Sequence, residues 1–130
     1  MIKLYTDAGL NSNLNLAATA YVIKYNDQTI KRVQPQKPDD NHYLEFLALN
    51  LALADLIERH WDDDILFIHS DSKILTDSID KKYSKHYQMI LDKILKQLTS
   101  FSSYFVKHIS DKDNRAAHSL VHNELIKLRK

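Results

Sequence analysis

The 130-residue chain has no cysteine. Disulfide bridges and thiolate-bound zinc are thereby excluded, and any chemistry falls to carboxylates, histidines and hydroxyls. Glycine occurs once, as Gly9, and proline twice, as Pro35 and Pro38. No Gly/Ser-rich linker, low-complexity tract or internal repeat interrupts the chain, so one domain over residues 1–130 is expected. Long apolar runs are also missing: nothing approaches the roughly 18 residues needed to cross a bilayer. The start, Met1 to Asp7, has no basic segment followed by an apolar stretch. The expectation is a cytoplasmic monomer without membrane contact.

Charge is nearly balanced overall, at +1, but unevenly spread. Residues 1–71 hold 6 Lys/Arg against 11 Asp/Glu, a net −5, and residues 72–130 hold 12 against 6, a net +6. An acidic half joined to a basic half suits a site that gathers cations in one place and meets a polyanion in another; it equally suits two solvated surfaces.

The apolar residues, 44% of the chain, are enough for a continuous core. Ile2 to Asp7 alternates as a strand does, while Ala17 to Tyr25 and Thr29 to Val33 are rich in β-branched and aromatic residues. Asn26-Asp27-Gln28 reads as the hairpin turn between the latter two, giving a three-stranded antiparallel meander. The segment holding both prolines reads as a loop. Tyr43 to Ile57 is apolar almost all round, a buried helix with Asp40 or Asn41 as its cap. Ile65 to Ile68 reads as a central strand covered on both faces. An amphipathic helix follows over residues 84–99, from the spacing of Tyr87, Ile90, Leu91, Ile94 and Leu98, then a strand over Tyr104 to Ile109. Ala117, Leu120, Val121, Leu125 and Leu128 mark a closing helix, and a short helix fits just after Asp71. The order β-β-β-α-β-α-β-α predicts an α/β fold: a mixed five-stranded sheet, three antiparallel strands then two parallel, flanked by helices.

Three acidic residues stand out by position. Asp7 ends the first strand, Asp71 follows the first strand after the meander, and Glu45 lies in the first turn of the buried helix. Sites in open sheets form at strand ends near the point where strand direction changes. Neighbouring strands bring Asp7 and Asp71 together, and Glu45 reaches them from the helix. Clustered carboxylates repel one another unless a cation sits among them, and an all-oxygen ligand set favours Mg²⁺ or Mn²⁺. Taken singly, each has a purely structural reading as well: Asp7 before Gly9 starts a turn, Glu45 complements a helix N-terminus, Asp71 caps a helix.

Tyr5-Thr6-Asp7-Ala8-Gly9, Asn41-His42-Tyr43-Leu44-Glu45 and Ser70-Asp71-Ser72, in this order and on these elements, resemble the three acidic motifs of the type 1 ribonuclease H family, which includes domains of reverse transcriptases. Val106-Lys107-His108 resembles the segment with that family's mobile histidine, and Asp113-Asn114-Arg115-Ala116-Ala117-His118 the entry to its last helix. The resemblance implies a ribonuclease H-like fold and hydrolysis of the RNA strand of an RNA/DNA hybrid with two divalent ions. Asp7 would be the shared ligand, Glu45 and Asp71 would complete the set, and His108 would serve proton transfer or product release. A surface histidine at a strand end is the plain alternative for His108.

His118 departs from the family, standing where it usually has a fourth acidic ligand. Imidazole lowers the ligand charge and suits Mn²⁺ better than Mg²⁺, so three outcomes are open: a changed metal preference, inactivity, or a histidine that ligates nothing. Ala8 replaces a glycine, and Lys73 stands where the family often has an amide beside the minor groove. Asn41 and Ser72 are candidates for contacts to a hybrid, or else helix caps. Lys81, Lys82 and Lys85 could hold phosphates of the DNA strand, or simply solvate a helix entry. The rival function is a catalytically impaired module of the same fold that binds nucleic acid or a protein partner.

Overall fold

The computed structural model describes residues 1–129; Lys130, the last residue of the expected domain, lies outside them. Strands β1 (Ile2–Asn11), β2 (Leu16–Tyr25) and β3 (Gln28–Gln36) form the meander. Helix α1 (Asn41–Glu58), strand β4 (Ile65–Ser70), helices α2 (Lys73–Lys81) and α3 (Gln88–Leu98), strand β5 (Ser103–His108), a 3-10 turn (Asp111–Asn114) and helix α4 (Arg115–Leu128) follow. The sheet order is β3-β2-β1-β4-β5. β1 pairs antiparallel with β2 and parallel with β4, so the direction changes beside β1, as the mixed sheet required. This is the ribonuclease H-like arrangement that the sequence predicted.

The two faces are covered differently. On one, Ile2, Leu4, Tyr21, Ile23, Leu66 and Ile68 pack against Phe46, Leu49 and Leu53 of α1 and against Leu91 and Ile94 of α3. Because α1 packs on β1 and β2 on one side and on α3 on the other, it is apolar nearly all round. On the other face, Val121, Leu120 and Leu125 of α4 cover Ala18, Ala20 and Val33 of the meander. Alanines let that helix come close, and Gly9 brings it closer still. A Cβ at Gly9 would lie 2.6 Å from Val121 Cγ1 and 3.1 Å from Leu125 Cδ1. Gly9→Ala should therefore destabilise the fold. Overpacking costs ~1–3 kcal/mol, against a gain of roughly 0.5–1 kcal/mol from replacing glycine in a strand. A lower urea midpoint at an unchanged slope is the expected readout.

Several boundaries differ from the sequence reading. The hairpin turn is two residues, Asn26 and Asp27, both with positive φ (49° and 64°). That is the pairing a tight hairpin needs, and it returns Gln28 to β3 opposite Tyr25. Pro35 lies in β3, opposite Ala18, rather than in a loop. β3 is an edge strand, where a missing N–H costs no ladder bond. α1 begins at Asn41, capped by Asp40, whose carboxylate accepts from the Tyr43 amide at 3.2 Å. Glu45 is thus one turn further in than expected. α3 begins at Gln88, not residue 84, because Ser84 and Gln88 close a turn of their own. The Ser84 amide donates to Gln88 Oε1 at 2.8 Å, and Ser84 Oγ accepts from the Tyr87 amide at 3.1 Å. The short helix after Asp71 is α2, capped by Ser72. Among the described residues no helix is long and apolar enough to cross a membrane.

Candidate metal centre and nucleic-acid cleft

β1 and β4 run parallel with Thr6 opposite Ser70, which sets Asp7 and Asp71 side by side just beyond the last shared pair. α1 crosses this end of the sheet and delivers Glu45. Asp7, Glu45 and Asp71 each offer a carboxylate oxygen within 4.8 Å of the other two. They come from three separate elements, so the fold alone brings them together.

The cluster is electrostatically strained without a cation. Burial first, and then the neighbouring carboxylates Asp7 and Asp71, push Glu45 up to about 9. Asp7 is raised to about 6, by burial and then by Asp71, with the Ala8 amide and His118 opposing. Asp71 is raised as well, chiefly by burial, with the Asn114 amide opposing and Asp111 adding to the rise. Glu45 Oε1 is buried and has no hydrogen-bond partner. An orphaned acceptor inside a cluster of three carboxylates is what a hard divalent cation would satisfy, and oxygen-only donors fit Mg²⁺ or Mn²⁺. The residues present therefore fit such a group.

His118 faces this cluster: its Nδ1 donates to Asp7 Oδ2 at 3.2 Å, leaving Nε2 free of that bond. The ring is partly exposed and lies 6.4 Å, centroid to centroid, from His122. His108, at the end of β5 opposite Ser70, donates from Nε2 to the Asp71 carbonyl at 3.2 Å. Both histidines thus border the cluster from opposite sides of the sheet order. His69 does not support Asp71: its Nδ1 bonds the Leu4 carbonyl at 3.1 Å on the sheet face below.

Asn41, Ser72 and Lys73 line one cleft of about 300 Å³ with His42, Ile74, Glu45 and Asp71. A second, of about 370 Å³, shares His42 and Ile74 with it and holds Lys81, Lys85, Tyr83 and Tyr87. The two lie end to end, leading from the carboxylates along α2. Ser72 lines the cleft and caps α2, its Oγ accepting from the Leu75 amide at 3.2 Å. Lys82 departs from expectation. It is the left-handed residue that ends α2, with φ 57°, and is not among the lining residues of either cleft. Ala8 pairs with Thr19 inside the sheet and likewise lines neither cleft.

Asn114 had no role in the sequence reading and proves to be a strut. It is 1% exposed, donates from Nδ2 to the Thr6 carbonyl at 2.7 Å, and reaches Asp71 Oδ2 at 3.4 Å. It thereby ties the start of α4 to the middle of β1 and to the residue that follows β4.

Residues 5–124 match a protein family described as reverse transcriptase-like. "Putative hydrolase EbsB" of Enterococcus faecalis is 28% identical over 130 residues, covering 98% of this chain and 96% of that one. Among solved structures, ribonuclease H1 of the archaeon Halobacterium salinarum superposes with a TM-score of 0.85 at 18% identity, over 97% of this chain and 98% of that one. LC11 ribonuclease H1, recovered from compost and solved in complex with an RNA/DNA hybrid, gives 0.83 at 22% identity over the whole of both chains. The order of elements, the reversal beside β1 and the match across most of the chain agree, and the protein belongs to the reverse transcriptase-like family, with a ribonuclease H-like fold.

Proposed function

We propose that this protein is a divalent-cation-dependent endonuclease that hydrolyses the RNA strand of RNA/DNA hybrids, through one domain spanning residues 1–130. The observation that carries the reading is the convergence of Asp7, Glu45 and Asp71 around an unpartnered buried oxygen, beside a polar cleft. That LC11 ribonuclease H1 binds a hybrid and EbsB bears a hydrolase name adds support.

Asp7, Glu45 and Asp71 would hold the divalent ions, with Asp7 as the shared ligand and His118 Nε2 as a further donor. Bound divalent ions would supply an activated water and neutralise charge on the scissile phosphate and its leaving 3′ oxygen. The remaining work falls to the chain. Asn41 and Ser72 present amide and hydroxyl groups to 2′-hydroxyls in the wide minor groove of a hybrid. Lys73 borders the same cleft, and Lys81 and Lys85 meet phosphates of the DNA strand in the adjoining one, with Lys82 contributing only long-range charge. His108, held beside Asp71 by one hydrogen bond, is placed to carry a proton to or from the reacting phosphate.

The nitrogen donor at His118 favours Mn²⁺ over Mg²⁺. An end-labelled hybrid should be cut internally, faster with Mn²⁺, while single-stranded RNA and duplex RNA survive. No cleavage with either ion by folded protein would refute the nuclease. The reading would then pass to a binding module, which the loss of a fourth carboxylate at His118 also favours.

A further inference from the structure

The sheet carries a second surface that the cleft does not use. Ile2, Leu4, Leu66 and Ile68 point into the main core, so their neighbours Lys3, Tyr5, Phe67 and His69 point to the opposite face. α4 covers that face only over the meander, at Ala18, Ala20 and Val33. The part formed by β4 and β5 lies beyond it, while Asp113, Arg115 and Ala116 border Tyr5 and Lys24 along its edge.

The strand registers order what stands there. One row runs Lys24, Lys3, Phe67, Phe105, and the next runs Lys31, Val22, Tyr5, His69, Lys107. These rows contain four lysines and no carboxylate. Tyr5 and His69 stack at 4.4 Å with 14° between their planes, and Phe67 and Phe105 at 5.1 Å with 18°. Lys24 Nζ lies 5.6 Å from the Tyr5 ring centre.

Cross-strand ring pairs stabilise a sheet by themselves, but that does not account for Phe105. It is 54% exposed on the edge strand β5, stacked on Phe67 on one side, with no strand beyond to cover the other. A half-exposed phenylalanine set among unpaired positive charge is costly on a surface facing only water. Flat rings on a sheet, bordered by lysines, match what unpaired bases and their phosphates require. Bases stack on aromatic faces, and the backbone follows the positive charge.

We propose that the β1–β4–β5 face binds single-stranded nucleic acid, stacking bases on the Phe105–Phe67 and His69–Tyr5 rings and holding phosphates with Lys3, Lys24 and Lys107. This surface adjoins the carboxylates, Tyr5 and His69 standing two residues before Asp7 and Asp71, but its rings and lysines line neither cleft, and binding there does not depend on hydrolysis. A duplex cannot use it, because its bases are already stacked on each other.

Fluorescence anisotropy of labelled ten-nucleotide oligouridine and oligothymidine, with EDTA present to prevent cleavage, tests it. Both strands should bind, more weakly as salt rises. Phe105→Ala should weaken binding about tenfold, the scale of one lost stacking ring, and Phe105→Tyr should retain it. Lys3→Ala with Lys107→Ala should weaken binding and flatten the salt dependence, while Lys93→Ala, exposed on α3, should leave it unchanged. Any action on hybrids should be the same in Phe105→Ala as in the parent protein. The proposal stands if no hybrid is ever cleaved but single-strand binding needs Phe105. It is overturned if neither oligonucleotide binds or if Phe105→Ala binds as tightly as the parent. It is equally overturned if sedimentation velocity shows a dimer that Phe105→Ala dissolves, since the face would then be an interface between copies.

Discussion

Asp7→Asn is expected to abolish hybrid cleavage while leaving the fold at least as stable as before. The two halves of that result have one cause. Asp7 is 4% exposed in the middle of β1, just past its last pairing with β4, and its carboxylate is the member of the cluster that His118 also touches. Removing its charge removes the group proposed to bridge both cations, a contribution of several kcal/mol to the transition state, equivalent to a loss of roughly 10³-fold or more in rate. In the metal-free protein the same charge is a burden. Its carboxyl is raised to about 6 because burial and Asp71 disfavour ionisation. An amide of the same shape keeps the space filled and relieves the repulsion, so the thermal midpoint in EDTA at pH 8 should not fall. A variant that lost cleavage and stability together would mean that Asp7 holds the fold, and the catalytic assignment would lose its support.

Much of this site could be read from the sequence, because the information is local. Asp7 and Asp71 follow strands marked by alternation and by an apolar run, and parallel pairing of those strands needs no further information to set the two carboxylates together. Glu45 is legible for a similar reason, as one of only two charged residues between Tyr43 and Ile57 in a helix that is otherwise largely apolar. Asn114 is different. Its importance lies in a bond to Thr6, 108 residues away, and nothing nearby in the chain marks it. The ends of elements were blurred where local signals compete. Lys85-His86-Tyr87 continues the helical spacing of α3, but the Ser84 amide donates to the Gln88 side chain and Ser84 Oγ accepts from the Tyr87 amide, so the helix begins late, at Gln88. The reach of β1 to Asn11 was hidden as well, since Ala8 to Asn11 is organised by α4 packing on Gly9 rather than by alternation. Pro35 suggested a loop because the sequence does not say that β3 lies at an edge. Lys81, Lys82 and Lys85 form one cluster in sequence. The left-handed turn at Lys82 separates it from the other two, a backbone detail that lysine does not advertise.

Glu45 should give the metal-free protein an unusual dependence of stability on pH, and Glu45→Gln should remove it. The Glu45 carboxyl is raised from 4.5 to about 9. Between those values the folded protein holds a proton that the unfolded chain has released. Its contribution is therefore fully present below about pH 4.5 and is lost progressively as pH rises toward 9. Asp7, raised to about 6, acts in the same direction over the lower part of that window. At most about 1.4 kcal/mol per pH unit is lost for one proton; allowing for coupling within the cluster, a fall of ~3 kcal/mol between pH 5 and 8 is expected. For a chain of this size that is roughly 10 °C in the thermal midpoint. Mg²⁺ or Mn²⁺ should reverse the fall at pH 8, because a ligand that binds only the folded state stabilises it in proportion to its occupancy. Glu45→Gln should show a flatter profile in EDTA, a higher midpoint at pH 8 and little response to either ion. Differential scanning calorimetry of both proteins from pH 5 to pH 9, with EDTA and with each cation, measures all three. An unchanged slope in Glu45→Gln would place the titration elsewhere. A full metal response in that variant would remove Glu45 from the ligand set and leave Asp7 and Asp71 as the cation's only carboxylates.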